Sequence, residues 1–509
     1  MMNRLPAKSF ILSSSFNSPG VFESHVISYL LSLSNKLLNT LSGTVKNSSL
    51  IPLVTTIPWK SILVVFFILS LAILPPFNIQ VSAFPASQFN DLVLNQRQFG
   101  IPLTSLSNIF LLPLIGMLIS QYRHKTKGKL KFTNLDILLL SLFLITEISI
   151  LLGINPQASF VWLLKLAYSL AIYFVFSRII LNSKQLSLMV FAIIGMVLFQ
   201  GLLASMQFFR GGLVGIPIEN VRSLFQNEGL FNIQGSLYFR VVGTLSHPTI
   251  LGAFIALLMP ISILLRFYKT TTISSIFSHI ATVMCIGIQV LAASRWGLVT
   301  VSFAFLFTFM LLNILNKISL KTIWKTVKID ILVLLMFGIT ILFNHTITTR
   351  FTQFSLEDKS LVARLELISQ TLYMVKEQPL LGIGLGGFTS YLVNYDVTSS
   401  QISEKFPASA HSFYLLLASE IGIVGLIMTL MIILFLIKSF LKNIKYLMGE
   451  NRLIAIGLFA SCCTYFFNGF WDARQLGDRV GFLFFLILGL LINILSHRNL
   501  RLKTSLPVT

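Results

Sequence analysis

The stretch "QPLLGIGLGGF", Gln378–Phe388, sets Gly382, Gly384 and Gly387 in the spacing G-x-G-x-x-G. That spacing marks a dinucleotide-binding loop when a strand precedes it and a helix follows. The preceding segment decides against that fold. In "SLVARLELISQTLYMVKEQP", Leu361, Leu365, Ile368, Leu372 and Val375 recur at i, i+4, i+7, i+11 and i+14. This is one stripe of an amphipathic helix, not the alternation of a strand, and Pro379 closes it. The glycines then read as a tight turn packed against a membrane helix, with positive φ and close backbone approach.

Composition supplies the membrane. The 509 residues are 55% hydrophobic and 11% charged, with a mean hydropathy of +0.83; a soluble domain carries about 25% charged residues. About twelve stretches approach the roughly 20 apolar residues that cross a bilayer core. They lie near 59–75, 101–121, 135–153, 159–181, 186–209, 248–267, 275–293, 296–316, 329–346, 411–437, 453–470 and 479–496. The net charge of +21 is sorted among their connections. Basic residues fill every second loop: Arg123 to Lys131, Arg178 and Lys184, Arg266 and Lys269, Lys317 to Lys328, Lys438 to Arg452, then Arg498, Arg501 and Lys503. This pattern places those loops and both termini in the cytoplasm. The excess charge therefore reports topology, and no nucleic-acid partner is expected. Cys285, Cys462 and Cys463 lie in apolar runs without zinc spacing, and read as small buried hydrophobes.

The expected fold is an all-α polytopic membrane protein with about twelve transmembrane helices and a long extracytoplasmic loop containing amphipathic helices. Residues 1–58 form a cytoplasmic N-terminal segment; "VISYLLSLSNKLLNTL" has the spacing of an interfacial helix and lacks the continuous apolar core of a signal peptide. Residues 59–346 hold the first nine helices, 347–410 the long outer loop, 411–496 the last three helices, and 497–509 a cytoplasmic tail. A second outer connection spans about 210–247, and long connections of this kind often carry function.

"HSFYLLLASEIGIVG" begins at His411, where the long outer loop enters the tenth span. Ala418, Gly422 and Gly425 let another helix approach closely. Glu420 is an ionisable group in an apolar run and needs a partner, a proton or a cavity. On a continuous helix it lies about 13 Å below His411 and faces away from it, so it is not the group that orients the histidine. Arg364 sits about 60° from Leu361 on its helix, at the border of the apolar stripe. There it either meets headgroup phosphates or snorkels.

His411-Ser412, followed by Gly422 and Gly425, resembles the histidine motif of the O-antigen ligase/polymerase superfamily. "DKSLVARLELISQTLYMVKEQPLLGIGLGGF" is similar to that family's loop arginine, amphipathic helix and P-x-x-G-x-G turn. "AASRWGLV" resembles its S-R-x-G element, and "FRVVGTLSHPTILGAF" its R-x-x-G-x-x-x-x-P segment. The resemblance covers roughly residues 235–430. One departure is "GIVGLI", where some ligases continue G-x-x-G-T-G; it favours polymerase or another member over ligase.

The resemblance implies an inverting glycosyltransferase of GT-C type. Its donor is a polyprenyl-diphosphate-linked glycan at the outer face of a bacterial inner membrane, and its acceptor is a lipid or glycan hydroxyl. His411 is implied as general base, with Arg295 and Arg364 on the diphosphate and Arg240 as a weaker ligand. Gly382, Gly384 and Ser412 are implied to shape the substrate cavity. The outer loops contain no D-x-D and one adjacent acid pair, Glu357-Asp358, so no metal and no cofactor is expected. Membrane lipids and other polysaccharide assembly proteins are the expected partners. Two other classes stand beside this one: a transporter of a small anion such as inorganic carbon, with Glu420 and Glu147 as its intramembrane ionisable groups, and a non-catalytic subunit of a glycan export machine. His247, beside Pro248, reads as a turn residue, and "WDARQLGDR" as a structural loop with internal ion pairs.

Overall fold

The structure is a computed structural model that describes residues 59–73, 79–80, 100–101, 106–124, 132–153, 156–179, 181, 183–216, 219, 230–233, 236–245, 247–268, 272–342, 359–396, 410–473 and 479–496. The expected interfacial helix within 1–58, the tail at 497–509 and the Glu357-Asp358 pair lie outside the described residues. What is described is helical apart from two short antiparallel pairs, β1 (Ile79–Gln80) with β2 (Gly100–Ile101) and β3 (Leu230–Ile233) with β4 (Ser236–Phe239). The helices are α1 (Trp59–Ile73), α2 (Leu106–His124), α3 (Asn134–Leu152), α4 (Pro156–Arg178), α5 (Ser183–Arg210), α6 (Pro248–Tyr268), α7 (Thr272–Leu291) and α8 (Arg295–Asn316). They continue with α9 (Leu320–Leu342), α10 (Lys359–Glu377), α11 (Phe388–Tyr395), α12 (Phe413–Glu420), α13 (Gly422–Ile444), α14 (Gly449–Asn468) and α15 (Arg479–Ser496).

Among the described residues, 7 helices are long and apolar enough to cross a membrane: α3, α5, α6, α7, α8, α13 and α15. Helices α1 and α2 hold shorter apolar runs, Lys60–Leu71 and Leu111–Ser120. The chain is thus a helical membrane protein. The span expected at 329–346 belongs to a helix that opens at Leu320 and carries Lys321, Lys325, Lys328 and Asp330 in its first half. Burial ranks the helices by position. In α6 and α15, 94% of the apolar window is buried, as for central helices that are hydrophobic all round. In α13 the share is 28%, and Leu430, Leu434 and Leu441 point outward.

Buried charge ties helix ends together. Thr133 and Asp136 form a capping box at the start of α3. The Asp136 carboxylate also accepts from Tyr173 Oη at 2.7 Å and Arg178 at 2.6 Å, both on α4. Asp330 on α9 pairs with Arg266 of α6 at 2.7 Å and with His279 Nδ1 of α7 at 2.6 Å. Arg178 and Arg266, which count among the basic residues of the alternate connections, both sit in buried ion pairs. A tally by chain position cannot separate a cation in water from one turned back onto a carboxylate.

The span expected at 411–437 is not one helix. Helix α12 ends at Glu420, and Gly422, the first residue of α13, has φ +77°. A break of this kind exposes carbonyls on one side and amides on the other. The glycine turn after α10 supplies partners for both. Ile383 N and Gly384 N donate to Ser419 O and Glu420 O at 2.9 and 3.0 Å, while Ile423 N and Val424 N donate to Pro379 O and Leu380 O at 2.8 and 3.4 Å. Ser149 Oγ on α3 adds a bond to Glu420 O at 2.8 Å. Glycine is required because the backbones touch. A Cβ on Gly382, itself at φ +68°, would lie 2.5 Å from the carbonyl carbon of Glu420, and one on Gly422 would overlap Leu380 O.

Candidate functional site

Arg295 opens α8. Before it, Ala292 and Ala293 make a turn in which Ala293 takes φ +46°. Ser294 caps the helix, its hydroxyl accepting from Gly297 N at 3.1 Å. The turn is held from outside: Arg240, buried, donates from Nε to Ala292 O at 2.7 Å. The segment carrying Arg240 is anchored in turn. Gln207 Oε1 on α5 accepts from Val242 N and Gly243 N at 3.0 and 2.8 Å, and its amide nitrogen donates to Glu219 at 2.8 Å. The Glu219 carboxylate gathers the amides of Val214, Gly215 and Ile216. The described residues that follow α5 are therefore folded around one carboxylate, and Gln207 and Arg240 connect them to the start of α8.

The residue after Arg295 leads toward the histidine. Trp296 stacks on Trp471 with ring centroids 5.1 Å apart. The Trp471 indole N–H donates to Thr300 Oγ1 at 3.0 Å, which fixes its orientation against α8. Trp471 follows the end of α14, and there Gly469 O accepts from Phe413 N at 2.8 Å. Tyr414 Oη donates to Phe466 O at 2.8 Å. The N-terminus of α12 is thus tied to the C-terminus of α14, with half-buried His411 just ahead of it. Ser412 is buried at the N-cap position. Its side chain makes no capping bond, and its carbonyl accepts from Leu416 N at 2.9 Å.

Arg364 reaches the same neighbourhood from α10. Leu367 and Met374 pack with Ile383, Phe388, Leu392 and Ala410 in one cluster, joined by Ala363, Leu415 and Leu416. Ala363 adjoins Arg364, and Ala410 adjoins His411. The buried face of α10 also includes Gln370 and Thr371. It is not the stripe read from the sequence: Leu365 is 58% exposed and Leu372 54%. Leu365 and Leu372 point away from the protein, with Ile368 and Val375 half-buried, as suits a helix lying at an apolar interface. Half-buried Arg364 sits between the two faces.

Contacts between neighbours thus link the segments of these residues: Arg240 bonds the turn before Arg295, Trp296 beside Arg295 stacks on the Trp471 that follows α14, and Ala363 beside Arg364 joins the cluster of Ala410 beside His411. Gly382 and Gly384 belong elsewhere, at the far end of α12, roughly 12 Å away along an eight-residue helix. Their amides are used by the fold: Gly382 N donates to Gln378 O at 3.2 Å and Gly384 N to Glu420 O at 3.0 Å. They form the joint of the broken helix rather than a cradle of free N–H groups. The partner that Glu420 requires is Phe388 N, which donates to Oε1 at 3.2 Å. His247 is a turn residue: its Nδ1 accepts from Thr249 N at 3.2 Å.

Reading the sequence alone missed Trp471, assigned to a structural loop, and the Gln207–Glu219 anchor. The anchor had a legible signal, since Gln200 and Gln207 lie two turns apart on one face of the otherwise apolar α5. Trp471 had none, because its partner Trp296 is distant in the chain.

Residues 280–430 match the family model described as O-antigen ligase. No curated protein matches the chain. The matched stretch contains Arg295, Arg364, His411, the glycine turn and the break between α12 and α13.

Proposed function

We propose, on the match of residues 280–430 to the O-antigen ligase family model, that the chain transfers a glycan from a polyprenyl-diphosphate donor to an acceptor hydroxyl at the outer face of a bacterial cytoplasmic membrane. The observation that carries this reading is the set of contacts that meet at the start of α12. The segment of His411 is linked to that of Arg295 through Trp296–Trp471 and Gly469, and to that of Arg364 through the Ala363–Ala410 cluster, which supports a shared site. Arg295 and Arg364 take the diphosphate oxygens, because a guanidinium forks onto phosphate and stays charged in an apolar setting. They carry the charge that develops as the anomeric carbon–oxygen bond breaks. Neutral His411 accepts the acceptor's proton as its oxygen bonds to the anomeric carbon. One displacement, with diphosphate as the leaving group, inverts that carbon. Arg240 supports Arg295 through Ala292 O, and Ser412 sets the start of the helix. The amphipathic α10, apolar stripe outward, lies along the membrane surface where a lipid diphosphate sits.

The test is donor turnover in proteoliposomes. His411→Ala is expected to abolish transfer while leaving insertion and thermal stability at the wild-type level; near-wild-type transfer by the folded variant refutes the role. A transporter reading draws on the broken α12–α13 span, since interrupted helices line many transport sites. Here the groups freed by the break are occupied by the glycine turn and Glu420 holds Phe388 N. Anion flux without donor turnover would favour that reading.

A further inference from the structure

We infer that Glu420 is a positioning residue, whose carboxylate locks the turn after the Arg364 helix to the end of the helix that starts at His411. This rests on the transfer reading above. Helix α11 begins at Phe388 behind Gly387, a residue with no side chain to cap it. Its first amides depend on a partner from elsewhere. Glu420, buried at 5% exposure, supplies it: Oε1 accepts from Phe388 N at 3.2 Å. A carboxylate at a helix N-terminus also meets the positive end of the helix dipole.

The same residue accepts at its backbone oxygen from Gly384 N and from Ser149 Oγ, at 3.0 and 2.8 Å. Main chain and side chain of one residue thus grip both ends of the segment Gly384–Phe388. Phe388 and Ile383 in turn pack on Leu367 and Met374 of α10, in the cluster that includes Ala410. Arg364 is fixed to α10 and His411 to α12, so the register between them passes through this grip. A buried acid in an apolar helix is costly. A purely apolar contact would fill the volume without setting the register.

The experiment uses the full chain in proteoliposomes, with the cell's own polyprenyl-diphosphate glycan as donor, and hydrogen exchange read on the peptide 382–392. Glu420→Ala is expected to raise exchange there and to lower kcat roughly a hundredfold, the scale of a 1 Å misplacement of reacting groups, with donor KM little changed. Glu420→Gln keeps an acceptor oxygen and is expected to restore protection and to hold kcat within about tenfold of wild type, since a neutral hydrogen bond is roughly half as strong as a charge-assisted one. Glu420→Asp keeps the carboxyl group but shortens the reach. It is expected to follow alanine, and it serves where alanine fails to insert. Raised exchange with wild-type kcat in the alanine or aspartate variant overturns the inference while leaving the role of His411 untouched. So does a glutamine variant as inactive as alanine with its peptide fully protected, because that assigns the carboxylate chemistry of its own. Activity in His411→Ala removes the transfer reading itself, and this inference with it.

Discussion

The joint between α12 and α13 can be tested at a single atom. Gly422→Ala sets a Cβ onto the carbonyl of Leu380 at φ +77°. A left-handed conformation costs an L-residue about 1–2 kcal/mol. The overlap is relieved only if the turn withdraws, which releases Ile423 N from Pro379 O and Val424 N from Leu380 O. Each such bond contributes about 1 kcal/mol net. The expected loss is therefore about 3–4 kcal/mol, measured by SDS titration in mixed micelles. Alanine also favours a continuous helix through 413–444, which would carry His411 away from α14 and α10. Transfer per folded molecule is expected to fall by roughly tenfold or more. Gly116→Ala is the control: its Cβ meets nothing within 4 Å in the middle of α2, and it is expected to gain up to about 1 kcal/mol. A Gly422→Ala protein as stable and as active as wild type would refute the account of the joint.

Other substitutions separate charge, geometry and packing. Arg364→Lys is expected to lose most transfer activity, because a point charge does not reproduce a two-toothed contact; a lysine variant with wild-type kcat/KM would remove the fork from the mechanism. Arg240→Ala, by freeing the Ala292 turn, is expected to raise donor KM more than it lowers kcat, and unchanged donor affinity would show that Arg295 needs no such support. Asp330→Ala strands Arg266 in the interior and is expected to cost about 3–5 kcal/mol of stability without altering transfer by the molecules that remain folded. A destabilisation under about 1 kcal/mol would mean the ion pair is no net asset.

The parts of this molecule that were legible in the sequence are those governed by local rules. Apolar runs located helices such as α6 and α15 to within a residue of their ends. The proline and periodicity before the glycine turn gave α10, and the motif order gave His411 and its arginines as candidates. What could not be read depends on long-range contact. Nothing near Gly422 announces a break, because "GIVG" inside an apolar run also fits a close helix crossing. The break exists because a segment some forty residues upstream, on the order of a dozen helical turns of chain, supplies its hydrogen bonds. The periodicity of α10 marks an apolar stripe, but which way that stripe faces depends on what packs opposite. Trp471 and Ala292 entered the site only through partners that sequence distance hides.

The α12–α13 joint is specified mostly in main-chain atoms: carbonyls of Pro379, Leu380, Ser419 and Glu420 against amides of Ile383, Gly384, Ile423 and Val424, with the side chains of Ser149 and Glu420 added. Such a joint places few demands on residue identity. Two glycines must stay small and Glu420 must keep its acceptor, while Leu380, 67% exposed, and the outward side of α13 are left open to change. A histidine held by so sparse a prescription can keep its place while the surrounding surface drifts through many sequences. Under the proposed transfer, such a scaffold takes up new acceptors by gradual substitution, with the reacting centre left as it is.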